Sequence, residues 1–168
     1  VNGGEAPVIS ANGKLLLFIR EVGGKGSLWL KPLEPLQTAG VTAEESRLVA
    51  ADYDVLEAAV DRDGREIIFA AQPRGRPELF TLDRASSRIS QTTFGFAARY
   101  PAISPDGLWL AYSKLNQGSW QISLKSRNGE GSGERQLTHG QCNTTYPAWT
   151  PDSKDLVYAT DCGRGLGL

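Results

Sequence analysis

The chain has no methionine, one histidine and two cysteines among 168 residues. One histidine leaves no convincing Ser/His/Asp set to assemble. The two cysteines show no zinc-type spacing such as C-x₂-C. Charge of one sign is also missing: 18 basic and 19 acidic residues are spread along the chain, for a net charge of −1. Without a basic stripe, a nucleic-acid backbone is not expected as a partner, and no acidic tail marks a disordered segment. The longest uncharged apolar run, Leu15–Ile19, is far short of the roughly 20 residues that span a bilayer, so no membrane insertion is expected. No secretory signal is visible. The chain starts at Val1 with no methionine anywhere, and we therefore expect a processed or excised segment whose compartment the missing signal does not report. Helical periodicity is scarce too. Only Thr42–Leu56 has helical character, and lacking a clean apolar stripe it predicts at most one exposed turn.

Turn formers, in contrast, are abundant. Nineteen glycines and nine prolines separate short runs rich in Val, Ile, Leu, Phe, Tyr and Trp, the pattern of short strands joined by tight turns. The phrase YPAISPDGLWLAY at Tyr100–Tyr112 returns as YPAWTPDSKDLVY at Tyr146–Tyr158. Weaker copies surround Asn12-Gly13 and Asp63-Gly64, so the turn residues Asn12, Asp63, Asp106 and Asp152 stand 51, 43 and 46 positions apart. Six residues after each comes an aromatic: Phe18, Phe69, Tyr112 and Tyr158. Each complete copy continues through a glycine-bearing polar stretch, an alternating strand and a short fourth segment, best seen at Arg88–Thr92 and Glu134–Thr138.

Four short strands in about 45 residues make one blade of a β-propeller. The fold class is therefore all-β, with four-stranded antiparallel blades near residues 6–56, 57–99 and 100–145 and an incomplete one at 146–168. About three and a half blades do not close a ring, and we expect a larger propeller of six to eight blades. In such an open arc, faces such as the one carrying Phe18 are expected to be exposed and to favour self-association.

The pairs Asn12-Gly13, Asp63-Gly64, Asp106-Gly107 and Asp152-Ser153 read as the turn between a blade's first two strands. Asp or Asn can bond its own downstream backbone there, and glycine accepts positive φ. Acid–base chemistry by Asp63, Asp106 and Asp152 is the competing reading, but Asn12 at the equivalent place and the regular spacing favour structure. Small residues such as Ala102 and Ala148 suit a crowded innermost strand, and the aromatic six positions on should fill the gap between blades.

Tyr100–Gly107 and Tyr146–Ser153, each followed by a strand ending in Ala-Tyr-Ser or Val-Tyr-Ala, resemble the repeats of TolB-like β-propellers. Arg135-Gln-Leu-Thr138 is similar to the fourth strand of that family's blade. The resemblance covers essentially the whole chain. Copy two departs from it, with Glu57-Ala58 in place of Tyr-Pro and Arg62 in place of the turn proline. It implies a non-catalytic scaffold that binds a protein or peptide on a propeller face, with no cofactor, in a periplasmic or otherwise exported location. The family's namesake is a periplasmic protein with a six-bladed propeller that binds a lipoprotein and other envelope partners. Similar propellers gate prolyl-oligopeptidase-type serine peptidases, and others are sensory halves of bacterial regulators, which would place the chain in the cytoplasm. The remaining blades or a fused domain would then be partners within the same chain. Function has to be argued from sites, because a shared scaffold names none.

Blade topology sets the loop at Gly140–Thr145 beside Thr160–Gly163, which makes Cys142 and Cys162 neighbours. A disulfide follows in an oxidising compartment, and two free thiols in a reducing one. His139, Gln141, Asn143, Asp161 and Arg164 surround this pair and form the candidate partner-binding face. A metal site of His139, Cys142, Cys162 and Asp161 matches no known ligand spacing, and none is expected. Gly163–Gly167 follows no nucleotide-binding βα unit, Asp61–Gly64 lacks the later ligands of a calcium loop, and Ser132 is not in a nucleophile elbow. No catalytic residue is expected.

Overall fold

A computed structural model describes residues 4–33, 44–128 and 133–162. Its strands fall into separate antiparallel sheets, each paired strictly in chain order. The first contains β1 (Glu5–Ile9), β2 (Leu15–Val22), β3 (Lys25–Pro32) and β4 (Ser46–Val49). The second contains β5 (Val55–Val60), β6 (Glu66–Ala71), β7 (Glu78–Asp83) and β8 (Arg88–Gln91). The third contains β9 (Ala98–Ile103), β10 (Trp109–Asn116), β11 (Ser119–Ser126) and β12 (Arg135–Gln136). A two-stranded sheet of β13 (Thr144–Trp149) and β14 (Leu156–Thr160) ends the arc. The first strands β1, β5, β9 and β13 neighbour one another in sequence order, so they form the inner side of the arc. Among the described residues no helix is long and apolar enough to cross a membrane.

The second strand of each complete sheet contains a continuous apolar run, Leu15–Ile19, Ile67–Ala71 or Leu110–Tyr112, because both of its faces are covered there. Side chains alternate between faces, so Leu17 and Ile19 of β2 meet Ile67 and Phe69 of β6 in one core cluster. Ile68 and Ala70, pointing the other way, meet Leu110 and Tyr112 of β10 in a second. Phe18, Phe69 and Tyr112 are 1%, 0% and 0% exposed, and Tyr158, which ends the series, is partly buried. Phe69 stacks on Phe80 at 5.6 Å between ring centroids, and Tyr53 meets both edge-on at 6.0 and 5.5 Å.

In three of the four turns the expected Asp or Asn side chain bonds the turn's own backbone. The Asp106 carboxylate accepts from the Ser104 hydroxyl and the Leu108 amide, while Gly107 donates its amide to the Ser104 carbonyl. Asn12 with Ser10, and Asp152 with Thr150, repeat this pattern. In the second blade the Arg65 amide donates to Asp61, two positions before Asp63. These bonds hold the Asp106 and Asp152 carboxyls below the ordinary aspartate range, first through Ser104 and Thr150 respectively. Gly64, at φ 72°, lies so close to Leu15 that an added Cβ would stand 2.0 Å from Leu15 Cδ1. At the equivalent place Ser153 takes φ 62°, and its hydroxyl accepts from the Asp106 amide, tying one blade's turn to the next.

Three expectations are corrected. Thr42–Leu56 contributes the first sheet's outer strand, Ser46–Val49, and then a 3-10 turn at Ala51–Tyr53 that is not simply exposed. Pairing with β3 overrides the weak helical propensity there, and Tyr53 packs against the core. The face bearing Phe18 is covered: the Arg20 guanidinium lies 5.2 Å from the Phe18 centroid and 4.6 Å from that of Trp29, anchored by Glu45 at 2.9 Å. A long cationic side chain can shield aromatic surface by lying flat on it. Ala148 is exposed and faces an open groove, so its small size is not a demand of crowding at the centre.

Candidate functional site

Three of the four first strands combine a bulge with a left-handed residue before proline. Their pairing with the second strand slips between Glu5 and Val8 in β1, opposite Ala111 and Ser113 in β9, and between Thr145 and Ala148 in β13. The residue before proline in each bulge, Ala6, Tyr100 or Tyr146, has φ of 47°, 55° or 53°. β5 also has a bulge, between Val55 and Glu57, but has Ala58 where the others have proline, and Glu57 does not take positive φ. A left-handed residue with a side chain carries a strain of order 1–3 kcal/mol, and such positions concentrate where a side chain must be aimed.

The bulges aim their side chains into one groove of about 480 Å³ on the inner side of the arc. Tyr100 and Tyr146 pack ring on ring there, with centroids 4.0 Å apart and planes inclined by 34°. Tyr146 remains 61% exposed, which is unusual for a large side chain with a partner so close. Arg99 lies over the Tyr100 ring at 4.6 Å and forks onto Glu57, Nε to Oε1 at 3.0 Å and Nη2 to Oε2 at 2.9 Å. The Tyr100 amide also donates to Glu57 Oε1 at 2.8 Å, so the carboxylate of blade two fixes the bulge of blade three. Glu57 raises the already high pKa of Arg99, which stays cationic. The groove continues past Ala6 and Leu56 into a second hollow of about 370 Å³ bordered by Glu5, Glu21 and Asp54. This surface offers an aromatic platform, one bidentate ion pair and a carboxylate-bordered end. Among its described lining residues there is no histidine, serine or cysteine that could form a nucleophile–base pair.

Burial, then the hydrogen bond with Tyr146, pushes the Tyr100 phenol up to about 12. Its folded pKa lies above the free value near 10, so the stability it contributes is complete below pH 10 and lost as pH rises toward 12. A tyrosinate absorbance titration is expected to show two late-ionising phenols, Tyr100 and the fully buried Tyr112, of which the Tyr100 component disappears in Tyr100→Phe. A late component left unchanged by Tyr100→Phe would contradict this packing.

The blade-four residues meet as well, with a different result. Cys142 and Cys162 form a disulfide with Cα atoms 5.3 Å apart. The Asn143 amide and side-chain NH₂ donate to the two Asp161 oxygens at 2.6 and 2.7 Å, and Asn143 Oδ1 accepts from the Trp120 amide. Both side chains are thus engaged in fastening the loop. His139 is exposed, with Nδ1 3.2 Å from Gln136 Nε2. Gln141 is exposed, and its carbonyl accepts from Ser119. Arg164 and Gly163–Gly167, like Ser132, lie outside the described residues. The disulfide removes both sulfurs from any metal set, and no group of three or more potential ligands occurs among the described residues.

The sequence reading missed Tyr100, Tyr146, Glu57 and Arg99 as site residues. Their signal was present, since Tyr-Pro opens both strong copies and Glu57 replaces it in the second. What the sequence could not supply was the bulge that turns these side chains inward.

An inner rim of bulged first strands, with cores between successive four-stranded sheets, defines an arc of a β-propeller. No family model matches the chain. It is 34% identical over 124 residues to a TolB homologue from Chlorobaculum tepidum, a match that covers 69% of this chain and 28% of that protein. It superposes on TolB from Acinetobacter baumannii with a TM-score of 0.75 at 16% identity, over 93% of this chain and 37% of the other. A structure from a study of two prolyl endopeptidases shares the fold, with a TM-score of 0.64 at 16% identity over 94% of this chain and 26% of that one. The chain is a TolB-like β-propeller, and it spans under a third of the curated homologue that it matches.

Proposed function

We propose that this arc is a non-catalytic binding module that takes an extended segment of a protein partner along its inner groove. The observation that carries this reading is the Tyr100–Tyr146 pair, held by strained bulges with one ring left largely in solvent. Exposed, rigid tyrosines in a groove are the residue type that dominates recognition surfaces, because they bury much area at little entropic cost. The kinship with TolB homologues supports a protein as the partner, and the disulfide agrees with an exported, oxidising location. The alternative, a gating propeller beside a hydrolase domain, rests only on likeness of fold to peptidases at low identity.

The test is selection of phage-displayed peptides on the 168-residue chain. Enriched peptides are expected to lose about tenfold or more in affinity on Tyr146→Ala, the usual scale of a hot-spot aromatic. Peptides that bind Tyr146→Ala as tightly as wild type would place recognition elsewhere. The same preparation is expected to show no turnover of proline-containing peptide or ester substrates, and robust turnover would sink the non-catalytic reading.

A further inference from the structure

Blades diverge from the axis, so the gap between neighbouring sheets widens outward. Between the second and third blades this wedge is left partly open, as a cavity of about 220 Å³ lined by Thr92, Thr93, Phe94, Phe96, Tyr112, Lys125 and their neighbours. Its rim is apolar. Phe94 and Phe96 flank Gly95 at the loop tip and are 67% and 50% exposed, a contiguous apolar patch rather than a single exposed side chain.

The cavity floor is polar. Tyr112 is 0% exposed, and its hydroxyl makes no hydrogen bond of good geometry. A buried donor without a partner is costly, about 1–3 kcal/mol, and is rarely left so unless something else completes it. Burial first, then a hydrogen bond toward the neighbouring Glu134 carboxylate that falls short of good geometry, pushes the phenol's pKa up, so it remains a donor. Two ammonium groups share the site. Lys114 is matched by Glu134 at 2.6 Å and covers the Phe96 ring at 4.1 Å. Among the described residues no carboxylate pairs with Lys125, whose Nζ donates to the Thr92 carbonyl at 3.1 Å. Among the described residues, pairing Lys114 with Glu134 leaves the wedge with one cation lacking a carboxylate, one buried hydroxyl lacking a well-formed hydrogen bond and an aromatic lip.

We propose that this wedge binds a carboxylate carried on an aryl or branched-alkyl group, with the anion at Lys125 Nζ and Tyr112 Oη and the apolar body against Phe94 and Phe96. Its volume is below that of ordinary drug-sized pockets and suits a single residue or a small acid. Both a free organic acid and the C-terminal residue of a peptide present this chemistry. The site is separate from the inner groove and stands or falls independently of it.

The experiment is an amide chemical-shift titration of the 168-residue chain with four probes. These are 3-phenylpropionate, 3-phenylpropanol, and acetyl-Ala-Ala-Phe as free acid and as C-terminal amide. Both acids are expected to shift the amides of Phe94–Ala98, Tyr112 and Lys125, and the alcohol and amide to bind about tenfold more weakly or worse, as loss of a charge-assisted hydrogen bond implies. Lys125→Met, which keeps the apolar stem, and Tyr112→Phe, which keeps the ring, are each expected to weaken the acids by a similar factor with the rest of the spectrum unchanged. Tighter binding of the peptide acid identifies a chain terminus as the ligand, and equal or tighter binding of phenylpropionate identifies a free acid. Absence of shifts at millimolar probe, equal binding of the alcohol, or full binding by both variants would overturn the assignment.

Discussion

Phe69→Ala is expected to lower the unfolding free energy by about 3–5 kcal/mol, the usual cost of emptying a fully buried aromatic site. Single domains have about 5–15 kcal/mol in total, so the variant should lose a large share of its stability. The size of the effect follows from position. Phe69 is 0% exposed, stacks on Phe80, meets Tyr53 edge-on, and joins the cluster that binds the first blade to the second. Its removal therefore loosens two sheets, and the rigid strands around it cannot collapse into the space. Tyr158 holds the same repeat position but is only partly buried. Tyr158→Ala should cost about 1 kcal/mol, the centre of ordinary substitutions. Urea denaturation of both variants checks the pair, and equal midpoints would show that the repeat position, rather than the depth of its packing, sets the contribution.

Opening the Cys142–Cys162 disulfide has the second largest expected effect. It closes a loop of separation 20, for which the chain-entropy account gives about 3 kcal/mol. That constraint falls on the two-stranded sheet, the one least able to stand without it, since an isolated hairpin is marginal in water. β13 and β14 are also held by their own ladder, by the Asn143–Asp161 bonds and by contacts to the third sheet, among them Trp149 Nε1 donating to the Ala102 carbonyl, Thr144 donating to the Trp120 carbonyl and Tyr146 packing on Tyr100. The double variant Cys142→Ala/Cys162→Ala is expected to exchange amides much faster over Thr144–Trp149 and Leu156–Thr160, with the first two sheets little changed. Uniform acceleration across all sheets would instead mean that the arc unfolds as one unit. Unchanged exchange would show that the bridge adds nothing to the native state.

The groove and the disulfide loop show how differently two kinds of site can be read. Cys142 and Cys162 were legible as neighbours because strand order within a blade is fixed by short turns, and those turns are written in Asp106-Gly107 and its counterparts. The loop's polar residues were legible as a cluster, but their use was not. Asn143 and Asp161 face each other at hydrogen-bond distance and serve the loop itself, and only coordinates can tell a bonded polar pair from a free one.

The sequence alone determined the class of fold. A repeat of four short strands, a turn residue at regular spacing and a buried aromatic six positions later are local features, and local chemistry suffices to specify them. Only tertiary structure decided what the inner face presents. A one-residue bulge reverses the face that every later side chain takes, and whether Tyr100 and Tyr146 point into a core or into a groove depends on it. The cover over Phe18 is likewise set between distant parts of the chain, because Arg20 needs Glu45 to hold it across the ring. Register and inter-blade contact are properties of pairs of segments, and no single segment encodes them.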